Sequence, residues 1–297
     1  LKCAAIIVAG GSGLRMGSNV PKQFLRISGK PIMWWTLQKI SESGLFDELV
    51  LVLPQGWLSR AEELLDGLAL GARVAEGGPR RQISVLNGLT ETDDDIDIVL
   101  VHDAVRPFVR KKTLSDVMEA AAKYGAATAA MPAKETIGVS NDGEVLSEVP
   151  ERSRLWHVQT PQAFRRDILL EAHKEGLEAA TYATDDCQLV MRRGIRPAIV
   201  HGSEENLKIT SPMDLMIAEQ IAMRADIDTV PVPALGAGPE AKAVMMLGGE
   251  HHIAGPGSLK ELGPLLRPVK FGLEERSEIL VLKVISVRAV MPFVQEG

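Results

Sequence analysis

Residues 4–24 read AAIIVAGGSGLRMGSNVPKQF, and the fold follows from how this stretch begins. Ala4 to Val8 is an unbroken apolar run, which suits a strand buried on both faces. It passes straight into Gly10, Gly11 and Gly13. Glycines at a strand end let the backbone approach a ligand closely and turn its N–H groups toward an anion. Arg15 and Lys22 then place two cations beside the loop. That set suits a triphosphate, whose charge must be offset before a second anion can approach. A glycine turn with solvated cations would account for the glycines alone, but not for the glycines together with Arg15, Pro21 and Lys22. Spacing excludes two better-known loops. Gly17 comes one residue late for a GxGxxG dinucleotide fingerprint, and the Gly-Lys-Ser/Thr of a Walker A loop is absent.

Outward from this stretch, short apolar runs alternate with amphipathic ones. Strands are expected at Glu48 to Leu53, Asp97 to Val101, Ala126 to Met131 and Pro197 to Val200. Helices are expected at Pro31 to Ser43, Leu58 to Leu68, Lys112 to Tyr124, Arg166 to Lys174, Asp185 to Arg193 and Pro212 to Arg224. This alternation predicts an α/β fold, a doubly wound and mainly parallel sheet covered on both faces. Thr136 to Val149 breaks the rhythm: it alternates around Asn141-Asp142-Gly143 and reads as an inserted β-hairpin arm.

A second chemical motif is VHDAVRP at residues 101–107. Asp103 follows a buried strand, where open α/β sheets place their ligands, and its carboxylate can hold Mg²⁺ between phosphate oxygens. The plainer alternative is a turn cap. His102 reads as a residue satisfying a local hydrogen bond. GGPRRQISV (77–85) offers a tight turn and Ser84 near a helix start, suited to a base. LWHVQTPQAF (155–164) reads as a polar loop in which Thr160 and Gln162 can bond a hydroxylated ligand. SEENLKITSPMDL (203–215) places Lys208 on a strand before a helix opened by Ser211-Pro212. Each of these three could also be a plain surface loop.

The formal charge of -6 argues against a general nucleic-acid or membrane-surface binder. The 297 residues contain two cysteines, Cys3 and Cys187, with no metal-ligand spacing, which fits buried thiols in a reducing compartment. No run reaches the ~18 apolar residues that a membrane span needs. A cytoplasmic protein is expected.

With these residues laid out, the chain resembles the 2-C-methyl-D-erythritol 4-phosphate cytidylyltransferase family over about residues 2–225. The resemblance rests on the glycine loop with RM and PKQF, on HDAVRP, on TPQAF and on ENLKIT, in that order. It implies a Rossmann-like nucleotidyltransferase that uses CTP, a sugar-alcohol phosphate and Mg²⁺. Arg15, Lys22 and Lys208 match the catalytic cations around the α-phosphate, and Asp103 matches the acidic residue beside magnesium and ribose. Ala9, Gly10, Gly11, Gly13, Gly78 and Ser84 match the nucleotide side. Thr136, Arg152 and Thr160, with Arg106 of the HDAVRP motif, match the sugar-phosphate side. The resemblance also implies a homodimer in which the arm serves the partner's site. Related readings are a ribitol 5-phosphate cytidylyltransferase and a nucleotide-binding regulator without turnover.

Two departures stand out: Ala9-Gly10-Gly11 where Ala-Ala-Gly is common, and Pro79, which removes one backbone donor near the base. Residues 226–297 read as a linker, rich in Pro, Ala and Gly over 230–241, and a tail of unknown role. That tail carries the apolar run Ile279 to Val290 and adjacent His251 and His252, without the Asp-x-His metal pattern of the enzyme fused to some relatives.

Overall fold

The computed structural model describes residues 1–10, 20–66, 68–229, 243–247 and 250–254. In chain order the first strands are β1 (Cys3–Val8), β2 (Arg26–Ile27), β3 (Lys30–Pro31), β4 (Glu48–Leu53), β5 (Ala72–Glu76) and β6 (Ile98–Asp103). They are followed by β7 (Ala126–Pro132), β8 (Trp156–Arg165), β9 (Ala198–His201), β10 (Ala243–Leu247) and β11 (Glu250–Ala254). The helices are α1 (Ile32–Glu42), α2 (Ala61–Leu65), α3 (Arg81–Thr90), α4 (Lys111–Tyr124), α5 (Arg166–Glu178), α6 (Asp186–Arg192) and α7 (Pro212–Thr229).

Seven strands form one sheet in the order β5-β4-β1-β6-β8-β7-β9. All its neighbours pair in parallel except β8, which runs antiparallel to both β6 and β7. The mainly parallel, doubly wound sheet read from the sequence is the one observed. The alternation of side chains along β1 distributes the core. Cys3, Ala5 and Ile7 pack with Met33, Leu37 and Ile40 of α1 and Leu114, Val117 and Ala121 of α4. Ala4 and Ile6 pack on the other face with Val85 and Leu89 of α3, Leu169 of α5 and Leu189 of α6. A third, smaller cluster joins Ile27, Ile32, Val105, Ile209 and Ala218, tying α7 to the end of β6. Among the described residues no helix is long and apolar enough to cross a membrane.

Several expectations need correction. Residues 155–164 are not a loop: most of them lie in the ten-residue strand β8, in the middle of the sheet. The amide nitrogen of its buried Gln162 is bonded within the fold, Nε2 donating to Asp185 Oδ2 at 2.6 Å. The β7–β8 register shifts between Thr128 and Ala130, beside a cis Thr160–Pro161 bond. Lys208 is not on a strand. Residues 202–211 form an irregular segment whose Ile209 N–H donates to the Val105 carbonyl at 3.0 Å. The helix expected at Leu58 to Leu68 is a 3-10 turn at Leu58–Arg60 followed by the short α2. The arm is a hairpin reduced to one bridge, Val139 with Glu148. Asp142 Oδ1 accepts from Glu144 and Val145 N–H at 2.9 and 3.1 Å, so a side chain closes the turn and Gly143 takes the positive φ of 80°.

The chain divides into two compact units, Leu1–Thr229 and Val230–Gly297. Helix α7 runs through the boundary expected at 225/226, because the helical pattern of 212–224 continues to Thr229. In the second unit β10 and β11 form an antiparallel hairpin, with His251 and His252 on β11 opposite Met246 and Met245. The linker at 230–241 and the apolar run at 279–290 lie outside the described residues.

Candidate active site

The chain leaves β1 for β4 and β5 on one side and returns with β6 on the other. The crevice between the C-terminal ends of β1 and β6 is therefore the switch point at which open α/β sheets bind ligands. Val8 stands opposite Asp103 there, and Ala104 N–H donates to the Val8 carbonyl at 3.0 Å. Thr36 of α1 fastens the same corner, its hydroxyl donating to the Ala104 carbonyl at 2.8 Å.

One side of the crevice is built from close backbone approaches. Ala9 N–H donates to the Val52 carbonyl at 2.9 Å and Gly77 N–H to the Leu53 carbonyl at 2.7 Å. A methyl group on Gly10 would meet Ser84 Oγ at 2.7 Å, and one on Gly78 would meet Ile83 Cγ2 at 2.3 Å. These glycines are needed for room rather than for an unusual φ. Ser84 Oγ accepts from Gly78 N–H at 3.1 Å, so Gly10, Gly78 and Ser84 lie together. Ala9 is buried beside them, its carbonyl accepting from Gln23 Nε2.

The other side is electrostatic. Asp103 is buried and surrounded by cations. Its Oδ2 meets Lys208 Nζ at 2.9 Å and Arg106 Nε at 3.5 Å, while Oδ1 meets Arg81 Nε at 3.5 Å. Burial alone would push this carboxyl up, but Arg81, Lys208 and Arg106 together hold it well below the usual carboxylate range. Its backbone N–H donates to Thr160 Oγ1 at 3.0 Å, which brings a sugar-phosphate candidate into the same cluster. Arg106 also donates from Nη1 to the Asn206 carbonyl at 2.8 Å, and Asn206 Nδ2 donates to the Thr160 carbonyl at 2.8 Å. Asn206 thus clips the 202–211 segment onto β8, and the Ile209–Val105 bond clips it onto the end of β6. Lys208 is pinned between these two attachments.

Lys22 reaches the same corner from the 3-10 turn Lys22–Phe24, its Nζ donating to the Ile209 carbonyl at 3.1 Å, one residue beyond Lys208. His102 bonds the Arg106 carbonyl through Nε2 at 3.1 Å, as read from the sequence, and burial pushes its imidazole down to about 4. A magnesium ion fits Asp103. Hard cations bound with nucleotides take one or two carboxylates plus substrate phosphates, and among the described residues Oδ1 has only the 3.5 Å contact with Arg81.

Thr136 and Arg152 take no part in this cluster among the described contacts. Both are exposed on the arm, where Arg152 Nη1 donates to the Lys134 carbonyl at 3.2 Å. Arg15, Gly11 and Gly13 lie outside the described residues. Three residues that matter to the site were not singled out in the sequence: Arg81, Asn206 and Asp186. Arg81 Nη1 donates to Asp186 Oδ2 at 2.6 Å, so it bridges two buried carboxylates. A signal for it existed: an arginine opens α3, where the helix dipole disfavours a cation that lacks acidic partners.

Three comparisons bear on this geometry. A family model described as 2-C-methyl-D-erythritol 4-phosphate cytidylyltransferase matches residues 3–224. The cytidylyltransferase of that name from Syntrophus aciditrophicus is 44% identical over 222 residues, 73% of this chain and 94% of the relative. That of Pelotomaculum thermopropionicum is 42% identical over 226 residues, 74% of this chain and 94% of the relative. Among solved structures, the 4-diphosphocytidyl-2C-methyl-D-erythritol synthase of Anaerococcus prevotii superposes with a TM-score of 0.68 at 29% identity, covering 75% of this chain and 96% of that one. The 2-C-methyl-D-erythritol 4-phosphate cytidylyltransferase of Thermus thermophilus gives 0.63 at 34% identity, covering 75% and 100%.

Proposed function

Because this chain belongs to the 2-C-methyl-D-erythritol 4-phosphate cytidylyltransferase family, we propose that the crevice between β1 and β6 transfers the cytidylyl group of CTP to 2-C-methyl-D-erythritol 4-phosphate. The observation that supports the reading is that Lys208 pairs with Asp103 at the switch point while Lys22 bonds the carbonyl of the next residue, Ile209. A phosphate oxygen of the sugar phosphate attacks the α-phosphorus, a new P–O bond forms, and the bond to the β-phosphate bridging oxygen breaks to release pyrophosphate. The nucleophile is already ionised, so no general base is required. Rate comes from holding two anions in line and from cations aimed at the oxygens that gain charge.

In this reading Lys22, Lys208 and Arg15 hold the α-phosphate, and the Gly10–Gly78–Ser84 surface holds the cytosine and its ribose. Asp103 would hold Mg²⁺, which when bound supplies charge neutralisation for the triphosphate and the leaving pyrophosphate. Thr160 and Arg106 line the sugar-phosphate side. Thr136 and Arg152 serve the same role from the arm of a second copy in a homodimer. Val145, Leu146 and Val149 on that arm are exposed apolar side chains, which supports such a contact. A pyrophosphate-release assay with CTP and the methylerythritol phosphate tests the activity. Release no faster than with CTP alone would end the assignment.

A further inference from the structure

Two carboxylates share one arginine behind the site, and they share it unequally. Arg81 binds Asp186 Oδ2 at 2.6 Å but stands 3.5 Å from Asp103 Oδ1. Asp186 is almost wholly buried, and its second oxygen is held by His173 Nε2 at 3.2 Å. The start of α6 that carries Asp186 is itself fixed. Asp185 caps it by accepting from Cys187 N–H at 2.8 Å, and accepts from Gln162 of β8 at 2.6 Å. Arg106 and Lys208 both sit on Oδ2 of Asp103, so Arg81 is the only described cation facing Oδ1. Asp103 is already shared with Lys208 and Arg106, so the shorter pair with Asp186 sets where the Arg81 guanidinium rests. A second buried carboxylate costs desolvation and does something else in return.

We propose that Asp186, backed by His173, is a positioning residue that holds the Arg81 guanidinium off Asp103 and so keeps Oδ1 open to a divalent cation carried in by the nucleotide. This rests on the reading of Asp103 as the magnesium residue. In Asp186→Asn the charge that draws Arg81 away is gone, and the guanidinium can close on Asp103. The carboxylate is then occupied by a fixed cation before the nucleotide arrives.

The test is calorimetric titration of the full-length protein with CTP, once with magnesium and once with chelator, and with no second substrate so that nothing turns over. The quantity read is the factor by which magnesium tightens binding. Asp186→Asn should cut that factor about tenfold, the lower end of what outer-shell partners of a metal ligand usually contribute. Affinity in chelator should stay near that of the parent. The paired change Arg81→Met with Asp186→Leu removes both the intruding cation and its anchor, and should restore the factor; it also decides the matter if Asp186→Asn alone does not fold. A factor unchanged in Asp186→Asn, an equal loss with and without magnesium, or a factor still lost in the paired variant overturns the proposal. If the parent protein itself shows no tightening by magnesium, the reading of Asp103 falls with it.

Discussion

The end of β6 and the arm at 134–154 carry candidate site residues in opposite physical conditions. Around Asp103 each described candidate is cross-linked inside its own chain. Lys208 and Arg106 bond the carboxylate, Thr160 bonds its backbone, and Asn206 bonds Thr160. On the arm nearly every residue is exposed, and the one described hydrogen bond of the Arg152 side chain goes to the carbonyl of nearby Lys134. The first region is preorganised by one chain. The second has geometry to offer only once another body meets it. Electrostatic preorganisation needs fixed groups in a water-poor setting, so the proposed function assigns the chemistry to the first region and substrate capture to the second.

The largest effect should come from breaking the fixed region at its centre. Asp103→Asn leaves Arg106 and Lys208 without their shared carboxylate and Arg81 with Asp186 alone, and removing one partner from a buried charge cluster costs roughly 3 kcal/mol of stability. Chemical denaturation should show that loss and the pyrophosphate assay a drop of at least a hundredfold. A variant as stable as the parent would mean the cluster is not preorganised at all. Lys22→Ala separates chemistry from stability. We expect kcat to fall about a hundredfold, equivalent to ~2.7 kcal/mol of transition-state stabilisation. Its charge-assisted bond to the Ile209 carbonyl contributes about 1.5–3 kcal/mol to folding, so denaturation is measured beside kcat. Near-normal turnover would remove Lys22 from the catalytic set.

Acid should also strike the fixed region first. Folded His102 is pushed down to about 4 by burial, against an ordinary value near 6.5. The unfolded chain therefore takes up a proton between these values and the folded one does not. Stability is fully present above about pH 6.5 and is lost as pH falls toward 4. One such group costs roughly 2 kcal/mol by pH 5. Replacing His102 with Gln should flatten that part of the stability profile, measured by denaturant titration at pH 7 and pH 5. An identical slope in the variant would assign the acid sensitivity elsewhere.

The same contrast explains what could be read in advance. Apolar runs such as ELVLVL and DIVLV announce buried parallel strands, and β4 begins and ends where that pattern does. Strand β8 hid because its polar residues and Pro161 look like loop chemistry. Only the folded neighbours Asp185 and Thr128, both bonded to Gln162, show where that polarity goes. Strand β5, ARVAE, is a half-exposed edge with too little apolar content to stand out. Lys208 sits in an alternating ENLKIT run that resembles a strand, yet the next residue's backbone bonds a loop carbonyl. Motif spacing located Asp103 and Lys208 but could not show that they touch. Arg81 and Asp186 lie 105 residues apart, and their pairing exists only in three dimensions.

The mildest change tests the exposed region. Arg152→Ala removes an exposed side chain with one described hydrogen bond, so folding should hardly respond. Its proposed partner is the phosphate of the second substrate, held across a dimer from the other copy's crevice. A charge-assisted bond to phosphate contributes ~1.5–3 kcal/mol, so the apparent affinity for the sugar phosphate should weaken about tenfold or more. CTP affinity should stay as it was, because the glycine surface and the Asp103 cluster belong to the other region. Steady-state kinetics with each substrate varied in turn separates the two. Mixing the Arg152→Ala variant with a Lys22→Ala variant adds the spatial test. If arms serve the partner's crevice, a mixed dimer contains one site with both lesions and one with neither, and activity recovers toward half the parental level in that species. If each arm serves its own crevice, every site in the mixture carries one lesion and nothing recovers. No recovery with intact dimers would place Arg152 on its own chain's site, and equal weakening of CTP would move it into the fixed region.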